Sequence, residues 1–225
     1  MEIGAGLGSL TRALAERGAE VLALEFDRAL IPALSEAVAD FPNVEIRQAD
    51  ATSVAWEPLL GDGAWKAAAN LPYNVAVPIL LHALETAAGI GGYVVMVQRE
   101  VAERLSAEPG AEPYGPTSLR VAYRADAEIL RNVPPSVFWP RPHVGSSVVR
   151  LRTHPPRVSV DADALFRVID VSFGERRKTM RSAVRRLGVD AGRVAELLRS
   201  TEIDPDARPE SLPLDRFAAL AEVLR

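Results

Sequence analysis

The sequence contains no cysteine, which excludes disulfides and thiolate metal sites. Histidine is almost as scarce. His82, His143 and His154 are too scattered to suggest a ligand cluster, and no metal is expected. No run of about 18 apolar residues occurs, and the first residues lack the basic, apolar, small-residue order of a signal peptide. The expectation is a cytoplasmic protein with no membrane partner. Positive charge is also in short supply, 26 Lys/Arg against 30 Asp/Glu, so the chain as a whole lacks the basic footprint that phosphate binding usually leaves. Internal repeats and low-complexity tracts are absent too.

The 225 residues, 48% of them hydrophobic, suffice for one full domain and a smaller second one. Charge divides unevenly between them. Residues 1–150 carry 12 Lys/Arg against 18 Asp/Glu, whereas residues 151–225 carry 14 against 12. Much of the later excess lies between Phe173 and Arg186, where Arg177, Arg181 and Arg185 fall at helical spacing and predict one basic stripe. That stripe reads either as a solvated face or as a surface for backbone phosphates.

Short β-branched or apolar runs at Glu20–Leu24, Val44–Gln48, Trp65–Ala69 and Tyr93–Val97 alternate with helical patterns at Leu10–Arg17, Leu30–Asp40 and Val77–Ala87. Such alternation predicts an α/β fold with a mostly parallel sheet covered on both faces. Two more apolar runs, Glu128–Val133 and Ser147–Leu151, enclose the proline-rich segment Pro134–Pro142, the pattern of a hairpin at the sheet edge. Beyond Pro155-Pro156 only helical patterns follow, at Ala162–Phe173, Arg176–Arg186, Ala191–Leu198 and Leu214–Leu224. Domains are therefore expected at residues 1–153 and 157–225. Only Met1, Glu2 and Ile3 precede the first glycine, fewer than the usual five or six strand residues, which predicts a preceding segment outside this sequence.

The loop Glu2-Ile3-Gly4-Ala5-Gly6-Leu7-Gly8 follows that strand and opens a helix, so its backbone can approach a bound nucleoside closely. A dinucleotide loop would place Gly or Ala at position 9, where this chain has Ser9, so the spacing leans away from NAD. Glu25, closing the second strand, can accept hydrogen bonds from both ribose hydroxyls. Asp50 and Ala51, after the third, can accept from an adenine amine and donate a backbone N–H to its ring. Each carboxylate alone reads as a solvated loop residue; together, after consecutive strands, they read as a cofactor site.

The fourth strand ends in Asn70-Leu71-Pro72-Tyr73. An adenine amine is a poor nucleophile because its lone pair is delocalised into the ring. The Asn70 side-chain oxygen and the Leu71 carbonyl can each accept one amine N–H, localising the lone pair toward a methyl donor. Pro72 fixes its own φ and keeps Leu71 extended. Tyr73 offers a ring for stacking on a flipped base. Phe138 reads either as a second stacking face or as a core aromatic pinning its loop. His82, beside Leu81 and Leu84, reads as structural.

These motifs, with Gln98 to Leu105, Val133-Pro134-Pro135, Phe138 to Leu151, Arg176-Arg177-Lys178-Thr179 and Arg208 to Leu212, make the whole chain resemble the small-subunit ribosomal RNA adenine dimethyltransferases. The resemblance implies a class I, Rossmann-like S-adenosylmethionine-dependent methyltransferase sheet of seven strands, followed by a small all-helical domain that docks on the assembling small ribosomal subunit. It implies N6-dimethylation of two adjacent adenosines near the 3′ end of small-subunit RNA. It places the methionine moiety along Glu2, Gly4, Gly6 and Gly8, the ribose at Glu25, the cofactor adenine at Asp50 and Ala51, Asn70 against the cofactor as well as the target base, and the target base also at Leu71, Tyr73 and Phe138. Arg176, Arg177, Lys178, Arg181 and Arg185 would meet the RNA backbone. The family's usual N-terminal segment with its Gln-Asn-Phe-Leu motif is not in this sequence. Three alternatives remain open: erythromycin-resistance methyltransferases of large-subunit RNA, DNA adenine methyltransferases, and a non-catalytic RNA-binding assembly factor.

Overall fold

A computed structural model describes residues 1–175 and 178–225. Strands and helices alternate through β1 (Glu2–Ile3), α1 (Ser9–Ala15), β2 (Val21–Glu25), α2 (Ile31–Ala37), β3 (Val44–Gln48), α3 (Trp56–Leu60), β4 (Trp65–Asn70), α4 (Ala76–Thr86) and β5 (Ile90–Gln98). The remainder runs through α5 (Arg99–Leu105), α6 (Pro116–Arg124), β6 (Ala125–Val133), β7 (Ser146–Thr153), α7 (Ala162–Phe173), α8 (Met180–Arg186), α9 (Val194–Ser200) and α10 (Leu214–Val223). The seven strands form one sheet in the order β3-β2-β1-β4-β5-β7-β6. The first five are mutually parallel, and β7 runs antiparallel to both β5 and β6. The expected edge hairpin is thus present, with β7 inside it and β6 on the rim.

Burial follows from these positions. All five residues of β2 are buried, as a strand flanked on both sides and covered on both faces requires. On the rim, β3 buries none of its residues fully. Between β1 and β4 the strand order changes direction, and there the crevice at the carboxyl ends of parallel strands opens.

Two compact units result, Met1–Ala102 with Ala125–His154, and Glu103–Arg124 with Pro155–Arg225. The boundary expected between 153 and 157 therefore leaves out one excursion. Residues 103–124, placed by the sequence reading with the sheet, pack with the helical unit. Leu119 and Tyr123 of α6 join Leu165, Ile169, Leu198 and Phe217 in its core, and the Tyr114 hydroxyl donates to the Leu212 carbonyl at 2.9 Å. Within α7, Asp161 caps the first turn by accepting from the Ala164 N–H at 2.9 Å.

A second correction concerns the basic helix. Where Arg176–Arg186 was expected, α8 begins only at Met180, because Thr179 before it is extended (φ −82°, ψ 166°). Arg181 and Arg185 are exposed on that short helix, while Arg176 and Arg177 lie outside the described residues. Of the expected stripe, α8 carries Arg181 and Arg185.

Gly8 opens α1 with φ +84°, and a methyl group there would lie 3.0 Å from Leu34 Cδ1 and 3.4 Å from Ala37 Cβ. Both the left-handed backbone and the packing against α2 require glycine. Gly8→Ala is expected to lower unfolding free energy by about 1–3 kcal/mol, and an unchanged urea midpoint would contradict this.

Candidate active site

The glycine loop is shaped by the end of β2. The Gly4 and Ala5 N–H groups both donate to the Leu24 carbonyl at 2.9 Å, and the next free donor, the Gly6 N–H, reaches Glu25 Oε2 at 2.7 Å. The other carboxylate oxygen accepts from the Asp27 N–H at 2.8 Å. Glu25 is consequently buried yet fixed at the mouth of a cavity of about 440 Å³, within the range of nucleoside-sized sites. At Gly6 (φ +57°) an added Cβ would meet nothing within 4 Å, although the residue lines that cavity. The bare backbone leaves the space for a ligand.

Asp50 and Ala51 form the far wall. Asp50 Oδ1 accepts from the Thr52 N–H at 2.9 Å and the Thr52 hydroxyl at 2.7 Å, and these bonds hold its carboxyl below the ordinary range. Oδ2 faces no donor among the described residues. The buried Ala51 N–H likewise has no acceptor among them, so an acceptor and a donor are left side by side. Phe26, Leu30, Val75 and Ile79 supply apolar wall that the motifs did not point to. The one sequence signal for Phe26 is its place directly after Glu25; its 68% exposure shows only in the structure.

Leu71 and Pro72 close the cavity on the side of β4, and a methyl on Gly4 would lie 3.9 Å from Pro72 Cδ, so loop and turn meet there. The Leu71 N–H donates to the Met96 carbonyl at 3.1 Å, which extends the β4–β5 pairing past Asn70. Asn70 is exposed, and among the described residues neither its side chain nor the Leu71 carbonyl has a hydrogen-bond partner. Two acceptors therefore stand free at one strand end. Tyr73 is held from behind: its hydroxyl shares a 2.8 Å hydrogen bond with that of Ser146, the buried first residue of β7. Phe138 follows a 3₁₀ turn at Pro135–Val137 and is half-buried, while Trp139 beside it is 98% exposed. Tyr73 and Phe138 make no ring contact with each other among the described residues.

Glu2 and Gly8 do not line the cavity. Glu2 is buried and accepts from the Thr11 hydroxyl at 2.5 Å, so it fastens the loop to α1. His82 Nε2 donates to the Val54 carbonyl at 2.9 Å and its ring lies 6.2 Å from that of Trp56, a tie between α4 and the segment after β3.

The model of the family described as ribosomal RNA adenine dimethylase matches residues 1–225. The chain belongs to this family. It is 44% identical to a ribosomal RNA small subunit methyltransferase A of Pelotomaculum thermopropionicum, over 99% of this chain and 80% of that protein. The protein of the same name from Alkaliphilus metalliredigens is 40% identical over the same shares. A dimethyladenosine transferase structure from Plasmodium falciparum superposes with a TM-score of 0.82 at 21% identity, covering 97% of this chain and 86% of that one. The 23S rRNA methyltransferase ErmE superposes at 0.72 with 23% identity, covering 99% and 89%; likeness at these identities shows the shared fold. The dimethylase is an S-adenosylmethionine-dependent methyltransferase of ribosomal RNA. The cradle at Gly6, the bidentate position of Glu25 and the unpaired donor and acceptor at Ala51 and Asp50 fit that cofactor.

Burial pushes the Glu2 carboxyl of this dimethylase up to about 7, against the opposing pull of the Thr11 hydrogen bond. The fold favours the protonated form, so this group's contribution is full below its ordinary value of 4.5 and is lost as pH rises to about 7. Glu2→Gln is expected to remove that decline. Chemical unfolding of both proteins from pH 4.5 to 8 tests it, and parallel profiles would refute it.

Proposed function

We propose that this chain transfers methyl groups to the N6 amines of two adjacent adenosines near the 3′ end of small-subunit ribosomal RNA, on the assembling subunit in the cytoplasm, giving N6,N6-dimethyladenosine. The observation that carries this reading is the pair of unpartnered acceptors, the Asn70 side chain and the Leu71 carbonyl, beside the cavity at the end of β4. When bound, S-adenosylmethionine supplies an electrophilic methyl group. Everything else is work for the chain's own residues.

Glu25 receives the ribose hydroxyls, and Asp50 with Ala51 reads the cofactor adenine. The glycine loop at Gly4 and Gly6 lies along the methionine moiety, and Glu2 and Gly8 shape that loop from behind. Asn70 and Leu71 each accept one N–H of the target amine, drawing the nitrogen toward tetrahedral geometry. Pro72 holds the Leu71 carbonyl in place. Tyr73 stacks on the flipped base, a contact worth about 1–3 kcal/mol, and Phe138 provides the opposite face. Orienting the two reactants contributes the remainder, up to about 7–11 kcal/mol of barrier in favourable cases.

Lys178, Arg181 and Arg185, together with Arg176 and Arg177, meet backbone phosphates, and residues 157–225 serve as the docking domain. Arg181 is offset by Asp206 at 3.7 Å, but that pair is exposed and screened. Replacing Arg181 and Arg185 with Gln is expected to weaken binding to small-subunit RNA and lower its salt slope by about 2. An unchanged slope would return these side chains to simple solvation.

Asn70→Ala is expected to cut methyl transfer about 10²–10³-fold while leaving cofactor affinity near that of the parent. Mass spectrometry of nucleosides from unmethylated small subunits, with calorimetric titration of the cofactor, reads both quantities. Dimethyladenosine at the parent level would sink the pocket assignment.

A further inference from the structure

Arg99 stands at the carboxyl end of β5, directly beyond Gln98 and beside the end of β4, where Asn70 lies opposite Met96. Its backbone N–H donates to the Gly145 carbonyl at 3.0 Å. Its guanidinium rests against Gly145 as well: a methyl group on that glycine would lie 3.1 Å from Nη2, 3.5 Å from Cζ and 3.6 Å from Nε. The next residue, Ser146, is the one whose hydroxyl holds Tyr73. A continuous set of contacts therefore places a cationic fork beside the anchor of the ring expected to stack on the target base.

This cation has no visible internal duty. Arg99 is exposed, and among the described residues its guanidinium has neither a carboxylate nor a hydrogen-bond acceptor. Arg150, Arg120 and Arg186, by contrast, are engaged with Glu128, Asp170 and Glu175. A long side chain ordinarily spreads over many rotamers, and the missing side chain of Gly145 gives this one a seat next to Ser146, the anchor of Tyr73. Guanidinium presents five donors in a planar fork that matches phosphate oxygens.

We propose that Arg99 grips a backbone phosphate of the RNA strand that carries the target adenosine, and that Gly145 is small so that it can. The inference rests on the RNA-methylating reading of the same pocket. Gripping the strand next to the flipped nucleotide fixes where the base enters, so Arg99 contributes to substrate binding and leaves the cofactor untouched.

The test measures binding of the full chain to a synthetic RNA hairpin with adenosines in its loop, across a range of salt, beside steady-state methylation of small subunits. Arg99→Gln is expected to raise the RNA KM about tenfold or more and to lower the salt slope of binding by about 1, with the cofactor KM unchanged. Arg99→Lys should keep the slope and recover part of the KM. Gly145→Ala, which leaves every charge in place, should raise the RNA KM less than Arg99→Gln does, because it shifts the guanidinium only by a few tenths of an ångström. If Arg99→Gln binds the hairpin with the parent's slope and affinity, the phosphate role is overturned. A parent chain that methylates no RNA while Arg99→Gln still lowers the slope would overturn the proposed reaction and leave the phosphate contact standing.

Discussion

The hydrogen bond from the Gly6 N–H to the Glu25 carboxylate is the contact on which the cofactor side of this molecule depends. It joins two features far apart in sequence, a loop too rich in glycine to hold its own shape and a charged group at the end of a fully buried strand. The carboxylate would be costly to bury without donors. The loop supplies one and the Asp27 N–H the other, and the outcome is a carboxylate of fixed orientation at the cavity mouth. With Gly4 and Ala5 both donating to Leu24, the loop follows the end of β2 closely, and the backbone at Gly6 is left bare toward the cavity.

The substrate side is organised differently. Its two free acceptors owe their position to the β4–β5 ladder, which continues through the Leu71 N–H after the strand has formally ended. Its ring is positioned from outside that ladder, by Ser146 in an antiparallel strand. A purely parallel sheet could not deliver the start of one strand to the finish of its neighbour; antiparallel pairing of β5 with β7 does so. The hairpin thus brings its proline-rich connection, with Phe138 and Trp139, to the same end of the sheet as Asn70.

Much of this was legible beforehand, and the reasons differ by element. Buried strands such as β2 show as continuous apolar runs, and α7 was bounded correctly because its apolar residues recur at helical spacing after a capping aspartate. Helices α3, α5 and α6 escaped, being short or, in α6, rich in residues that also suit strands. The assignment of residues 103–124 failed for another reason: chain order says nothing about which core an excursion joins. At the site, the motif positions Gly4, Gly6, Glu25, Asp50, Ala51, Leu71 and Pro72 come together around one cavity. Glu2 belongs behind it, since its pairing with Thr11 depends on a strand-to-helix contact that spacing alone does not reveal. Phe26 carries no motif, and Arg99 belongs to the Gln98–Leu105 stretch without a role assigned from sequence; only exposure and neighbours single them out.

Placing β7 between β5 and β6 also sets an order of events during synthesis. The outer edge of β5 finds its partner only when Ser146–Thr153 has left the ribosome, after all of residues 103–124 has emerged. Until then a nine-residue strand keeps an open row of donors and acceptors, the kind of edge that other chains can extend. A nascent chain halted before the hairpin is therefore one that needs shielding, whereas one halted just after it has a finished sheet and an unfinished helical unit.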